Sequence, residues 1–210
     1  MPSALADLMK LADVRGRGPS PSFSRPQLLL AFLAIGATGT MGRAALAMKT
    51  GLGEGAIRTV LKRFRESGYA KADASGCHLT ESGATLYGNL GRELSEPLRL
   101  DASHLTVGRT QTAIAIRGAG RLVKRGIEQR DSAIREGASG ATTYVIKGGR
   151  FTMPGGSSDC ENDFPSPTWG NLRGGLRPRD GDAVVLCGSS DGTTATLGAL
   201  SAALTLIQPF

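Results

Sequence analysis

Three basic side chains recur at helical spacing between Glu54 and Ser67: Arg58, Lys62 and Arg65 lie at i, i+4 and i+7. Residues at this spacing share one face of an α-helix. Their guanidinium and ammonium groups can donate hydrogen bonds to phosphates and to the acceptor edges of bases. The pattern indicates a helix whose basic face contacts a polyanion, although a charged outer face is also ordinary on surface helices.

The same segment has an apolar face, and the local charge is strongly positive. Ile57, Val60, Leu61 and Phe64 fall at i, i+3, i+4 and i+7, the pattern of a stripe that faces a core. From Met41 to Lys71 there are seven basic and two acidic residues, which gives 7 − 2 = +5. This concentration favours a phosphate-tracking surface over a merely solvated one.

The flanking patterns indicate how this helix is positioned. The predicted elements are an apolar helix over Gln27 to Ile35, a small helix over Gly42 to Lys49, a turn at Thr50 to Gly53, the basic helix over Glu54 to Ser67, a hairpin over Tyr69 to Leu79, and a helix capped by Thr80. This is the order of a winged helix-turn-helix, in which the second helix of the pair enters the major groove of double-stranded DNA.

Individual roles follow from this arrangement. Arg58, Thr59 and Lys62 are expected nearest the bases, while other basic residues hold phosphates. The predicted DNA-contacting residues are Arg43, Glu54, Gly55, Arg58, Thr59, Lys62, Arg63, Arg65 and Lys71. Regulators with one such motif usually bind as dimers on two half-sites, so a homodimer is expected.

Whole-chain composition limits the alternatives. The chain has 210 residues, a net charge of +7 and a pI near 9.8, which favours a polyanionic partner. Three widely spaced cysteines and two histidines argue against a zinc site and a disulfide framework, and no cofactor is indicated. The apolar run Leu28 to Ile35 is too short to span a membrane, which needs about 20 residues. We expect a cytoplasmic protein with reduced thiols.

The composition also divides the chain. Residues 1–24 are expected to form a short helix (Ala4 to Val14) and a flexible arm, 25–97 the winged helix-turn-helix, and 102–210 a mixed α/β domain. The boundary is predicted near Pro97 to Ser103. The fold class is therefore α+β, with more than one domain.

The second half mixes strand and helix patterns. The predicted elements are a strand or hairpin in Thr106 to Ile116, a helix over Leu122 to Glu136, a hairpin over Ala141 to Met153 with the turn Gly148-Gly149, a long loop over Pro154 to Arg179, a buried strand over Asp182 to Cys187, and a helix over Ala195 to Ile207. Within the first of these helices, Ile127, Ala133 and Ile134 are expected to face inward. Gly118-x-Gly120 is a weak dinucleotide-binding pattern and is better explained by a turn.

Two polar segments are candidates for an effector site. The turn Gly188 to Thr194 offers N–H groups to an anion, or is a tight turn in which Thr193 or Thr194 caps the helix. The charged run Lys124 to Asp131 forms ion pairs, or lines a pocket with the loop Pro154 to Asp159. The candidate ligand-binding residues are Glu128, Arg130, Asp131, Gly188, Ser189, Ser190, Thr193 and Thr194.

Catalytic residues are not assigned. Ser189 and Asp191 have no evident base, and Cys187 at a strand end is better explained as a small buried apolar residue than as a nucleophile. An enzyme in the second half remains the alternative to a DNA-binding regulator. An RNA-binding protein is a third alternative, although only 5% of residues are aromatic, few for stacking on bases.

The chain resembles a family of archaeal proteins that pair a winged-helix domain with a C-terminal domain of unknown function. The segments that carry the resemblance are Gly18 to Ser24, Gly51 to Lys62, Gly126 to Asp131, Gly140 to Thr143 and Leu197 to Leu200. The resemblance covers nearly the whole chain. It implies a transcription regulator with an unidentified ligand and brings no known chemistry for the second half.

Overall fold

The computed structural model describes residues 3–13 and 22–207. The chain forms two compact units that divide between Glu93 and Leu94. Its helices and strands give the mixed α+β architecture that the sequence predicts. The predicted N-terminal arm falls mainly on residues 14–21, outside the described residues.

The first unit combines helices with a small antiparallel sheet. Its elements are α1 (Ala4–Asp13), α2 (Arg25–Thr38), β1 (Thr40–Met41), α3 (Arg43–Thr50), α4 (Glu54–Glu66), β2 (Ala70–Asp73), β3 (Gly76–Leu79) and α5 (Glu81–Glu93). The three strands form an antiparallel sheet in the order β1-β3-β2. The sequence predicted a turn where β1 lies, because two residues are too few to show strand alternation.

Helix α2 is the centre of this unit. Its side chains are buried from Leu28 to Ile35, and Phe32 packs edge-on against Phe64 of α4, with ring centroids 5.3 Å apart. The predicted cap of α5 is confirmed, since Thr80 Oγ1 accepts a hydrogen bond from the Gly83 N–H at 3.1 Å. A Cβ at Gly83 would lie 1.9 Å from the Tyr69 carbonyl oxygen, so glycine allows α5 to approach the start of the hairpin.

The second unit is built on a five-stranded sheet in the order β4-β5-β8-β6-β7, and every neighbouring pair is antiparallel. The strands are β4 (Leu98–Asp101), β5 (Thr110–Ile116), β6 (Gly140–Lys147), β7 (Arg150–Thr152) and β8 (Ala183–Ser189). The helices are α6 (Ile127–Arg135), α7 (Cys160–Asp163), α8 (Thr168–Leu176) and α9 (Gly192–Leu204).

The helices cover both faces of this sheet. Trp169 of α8 and Cys160 of α7 join a buried cluster with Tyr144 and Phe151 on one face. On the other face Thr112 of β5 lies 3.2 Å, Oγ1 to Oγ1, from Thr196 of α9. Helix α6 packs on α9 there, with the Ser132 and Ser201 Oγ atoms 2.9 Å apart. The unit is therefore a three-layer sandwich.

Several sequence predictions for the second unit need correction. The segment predicted to be a long loop contains α7 and α8, because its glycines and prolines lower the helix propensity of the sequence. Helix α6 begins at Ile127 rather than Leu122, and Ile127 and Ile134 are exposed because Gln129, Ser132 and Ala133 face the core instead. The two-residue hairpin turn at Gly148-Gly149 is confirmed.

The division between the units also differs from the sequence expectation. The predicted boundary at Pro97 to Ser103 contains β4, which pairs with β5 and therefore belongs to the second unit. Ser95 is tied to the same sheet, since its N–H donates to the Ala115 carbonyl at 2.9 Å. The units divide a few residues earlier, between Glu93 and Leu94.

Candidate nucleic-acid interface

The predicted core stripe of α4 is confirmed. Ile57, Val60 and Phe64 are fully buried, and Leu61 is 8% exposed. This packing fixes the rotation of α4 about its axis, since the apolar stripe must face α2. The side chains of Arg58, Thr59, Lys62 and Arg65 are consequently exposed.

The start of α4 is open. Gly53 is its N-cap, no side chain caps the first turn, and a Cβ added at Gly53 or Gly55 would meet nothing within 4 Å. The unpaired N–H groups of a first helical turn favour an anion, and small residues there permit close approach. Gly51 ends α3 in the left-handed conformation, with φ of 69°, and this turn orients α3 and α4.

Two ion pairs lie along the exposed side of α4. Arg58 Nη2 is 3.2 Å from Glu54 Oε2, and Lys62 Nζ is 3.7 Å from Glu66 Oε1. Both pairs have i, i+4 spacing, and all four side chains are more than three-fifths exposed. Such pairs contribute about 0.3–0.5 kcal/mol each, so a phosphate can displace the carboxylates at small cost.

Arg63 has a different role from the one that the sequence predicts. Its Nη1 donates to the main-chain oxygens of Leu11 and Ala12, at 2.5 Å and 3.1 Å, and its guanidinium lies 5.0 Å from the centroid of the Phe23 ring. Arg63 therefore holds the C-terminal end of α1 against α4. This is a correction, because the guanidinium predicted to bind phosphate is engaged within the unit.

Two further basic residues flank α4 on neighbouring elements. Arg43 begins α3 and Lys71 lies on β2, and both are exposed. The turn between β2 and β3 is closed by Asp73, which accepts hydrogen bonds from the Ser75 hydroxyl and N–H. Those hydrogen bonds lower the pKa of Asp73, so the turn keeps its carboxylate at neutral pH.

The predicted anion-binding turn in the second unit is a capped helix start. Gly188 and Ser189 are buried within β8, whereas Ser190 is exposed. Asp191, rather than Thr193 or Thr194, caps α9 by accepting from the Thr194 N–H at 2.9 Å, and this hydrogen bond lowers the pKa of Asp191. A carboxylate thus occupies the place that the prediction left for an anionic ligand.

The charged run on α6 does not share a pocket with the loop that precedes α7. Glu128, Arg130 and Asp131 are exposed on α6, and Arg130 pairs with Asp131 at 3.1 Å. Helix α6 lies on the α9 face of the sheet, whereas α7 packs in the aromatic cluster on the opposite face. The ion-pair interpretation of the run is therefore the one that fits the structure.

The Gly118-x-Gly120 segment is a turn held by a buried carboxylate. Asp182 is 3% exposed and accepts hydrogen bonds at 2.9 Å from the Gly118 N–H, the Arg179 N–H and Arg117 Nη1. Burial alone would raise the pKa of Asp182, but these hydrogen bonds and the arginine charge hold it below its ordinary value. This contact has a structural role.

The Cys187 side chain belongs to the core of the second unit. Cys187 is fully buried, and burial raises the pKa of its thiol to about 12, as expected of a small apolar core residue. Within residues 3–13 and 22–207, no three acidic, histidine or cysteine side chains are grouped to hold a metal ion. No helix in the same part of the chain has the length and apolar character to cross a membrane.

The second unit also contains a cleft that the sequence does not predict. Its volume is about 630 Å³, and it lies between β4 and α8. The lining residues are Leu98, Arg99, Leu100, Asp101, Thr110, Gly170, Asn171, Gly174 and Gly175. The sequence does not predict β4, because its alternation of apolar and charged residues, Leu98 to Asp101, extends over only four residues.

Two comparisons with known proteins found similarities. Residues 107–206 match the family model described as a domain of unknown function, DUF4443. A solved structure, the hypothetical protein PH0730 from Pyrococcus horikoshii OT3, has a similar fold. The similarity covers 88% of this chain and 93% of that protein's chain, with a TM-score of 0.73 and 22% sequence identity. At this identity the likeness shows the fold alone. A comparison with curated proteins found no match.

Proposed function

We propose that the chain is a sequence-specific DNA-binding transcription regulator, in which α4 enters the major groove of double-stranded DNA. The observation that carries the proposal is the geometry of α4. Its apolar stripe is locked into the core, and this orientation exposes Arg58, Thr59, Lys62 and Arg65 together on a helix that follows the turn of a helix-turn-helix.

The contacts divide into two kinds. Arg58, Thr59 and Lys62 lie on the outer side of α4 and are assigned to bases, with Glu54 and Gly55 at the helix start. Arg43, Arg65 and Lys71 are assigned to phosphates, which position the unit on the duplex without reading its sequence. Arg63 is withdrawn from this set because it binds the end of α1.

The second unit is assigned to self-association or to sensing an effector in the cytoplasm, and two half-sites are read by a homodimer. An enzyme remains the second hypothesis. It would require convergent polar groups with an acid–base pair in a pocket. The ionisable residues that line the cleft beside β4 are Asp101 and Arg99. Because arginine stays protonated, these two do not form an acid–base pair, and self-association or effector binding is the stronger hypothesis for the second unit.

The test is a double variant, Arg58→Ala with Lys62→Ala, compared on one operator fragment with the wild type. Removing the two central cations eliminates specific binding in this account. The control is Lys10→Ala with Arg92→Ala, which removes the same charge from exposed positions on α1 and α5. Unchanged operator affinity in the α4 variant would show that the recognition-helix assignment is wrong.

A further inference from the structure

Strand β4 is an unpaired edge of the five-stranded sheet. It pairs with β5 on one side, and within the described residues no other segment hydrogen-bonds to its main chain. An edge strand with free N–H and C=O groups is a template for another strand. Natural proteins usually protect such an edge with charges that repel a second copy.

The charges on β4 instead complement those of β4 in a second copy of the chain. Arg99 and Asp101 alternate with Leu98 and Leu100, so they share the side of the sheet that faces α9, and both are exposed. The guanidinium of Arg99 lies beside Gly192, at the start of α9. Arg99 is therefore on the face of the sheet that α9 covers. When β4 pairs antiparallel with a second copy about Leu100, Arg99 faces the partner's Asp101, and Asp101 faces the partner's Arg99.

The other side of β4 is also suited to this pairing. Leu98 and Leu100 point toward the core that α8 covers. In this register the two copies of Leu100 lie opposite each other at the centre of the pairing, and each Leu98 faces Ala102 of the second copy. A twofold axis through that point joins the two sheets edge to edge and brings the two α8 helices to the same face. A Cβ at Gly170 or Gly174 of α8 would meet nothing within 4 Å, which leaves room for a close helix–helix approach.

We propose that β4 and the glycine face of α8 form the homodimer interface, with Arg99 and Asp101 as two symmetric ion pairs between copies. The cleft of about 630 Å³ beside β4 is then covered by the second copy. A four-residue strand alone buries too little surface, because stable interfaces bury about 800 Å² per partner, so contact through α8 is required. The proposal deepens the self-association assigned to the second unit and rests on that part of the proposed function alone.

The test measures the mass of the full chain without DNA, by analytical ultracentrifugation over a concentration series. Arg99→Asp and Asp101→Arg each place like charges opposite one another at both symmetric positions, so each variant is expected to dissociate at roughly 10- to 100-fold higher concentration. Arg121→Asp, which reverses an exposed charge away from the edge, is the control and stays dimeric like the wild type.

Complementation separates the interface from a general loss of folding. Arg99→Asp mixed with Asp101→Arg places opposite charges across the heterodimer, and the double variant restores them in a homodimer, so both regain the dimer mass. The proposal is overturned by a monomeric wild type, by single variants that dimerise like the control, or by failure of both the mixture and the double variant. If the variants dimerise as expected but the dimer binds no DNA, the DNA-binding proposal is wrong and the interface proposal is supported.

Discussion

Arg63 Nη1 lies 2.5 Å from the Leu11 carbonyl oxygen, which joins α4 to the end of α1 across more than fifty residues of sequence. A cation at the C-terminal end of a helix is favoured by the exposed carbonyls there. The contact therefore separates two neighbouring arginines of α4, since Arg63 fastens the unit together whereas Arg65 remains exposed.

This separation predicts opposite phenotypes for two matched variants. Arg63→Ala should lower the free energy of unfolding by about 1–3 kcal/mol, because it removes charge-assisted hydrogen bonds and a contact with Phe23. Arg65→Ala should change stability by less than about 0.5 kcal/mol and weaken DNA binding through a lost phosphate contact. Chemical denaturation and DNA titration of both variants measure this, and the reverse assignment would contradict it.

Glu54 at the start of α4 gives a second prediction. Its carboxylate lies 3.2 Å from Arg58 and repels phosphates, so Glu54→Gln should strengthen binding to random duplex DNA about two- to tenfold. Because a carboxylate can accept a hydrogen bond from cytosine, the ratio of operator to random affinity should fall. Glu66→Gln near the other end of α4 is the control, since it leaves the helix start unaltered. A ratio that rises in Glu54→Gln would contradict the placement of Glu54 near bases.

Asp182 makes the stability of the second unit depend on pH. Its pKa is lower in the folded protein than the ordinary unfolded value of about 3.9, so its contribution is complete above that value and is lost as pH falls through the folded pKa. Asp182→Asn should destabilise the unit by about 2–4 kcal/mol at neutral pH, since it leaves Arg117 without its carboxylate partner.

The difference between Asp182→Asn and the wild type should shrink as pH drops below about 4, where the wild-type carboxyl also becomes neutral. Denaturant unfolding between pH 3 and pH 7 measures this. Asp131→Asn, at an exposed carboxylate on α6, should change stability by less than about 0.5 kcal/mol throughout. A wild-type advantage that grows toward acid pH would refute the assigned role of Asp182.

The three thiols provide independent reporters of the two units. Cys77 lies in the first unit, Cys160 and Cys187 lie in the second, and all three are buried with raised pKa values caused by desolvation. We expect a disulfide reagent to modify each thiol only as its own unit opens, so that Cys160 and Cys187 become exposed together in denaturant and Cys77 reports separately on the first unit. Peptide mapping after timed labelling identifies the sites. Immediate reaction of Cys187 in native buffer would instead support a nucleophile and the enzyme hypothesis.

The sequence predicts those features that depend on local periodicity. The stripe Ile57 to Phe64, the Thr80 cap and the Gly148-Gly149 turn are set by spacing or by backbone preference within a few residues, and all three are confirmed. Arg63 could not be assigned in this way, because its partner α1 is distant in sequence. The sequence does not predict helix α8, because its three glycines lower helix propensity. Packing of Trp169 and Leu172 into the core stabilises this helix.

The central claim is sequence-specific binding of duplex DNA, and one measurement tests it most directly. The full-length protein is mixed with fragmented genomic DNA, the retained fragments are sequenced, and the affinity for the best fragment is followed as salt rises. The account predicts a recurring palindromic site and a steep loss of affinity with salt, since several phosphates are neutralised. Weak retention without any recurring sequence would contradict it and leave the exposed cations of α4 as an ordinary solvated face.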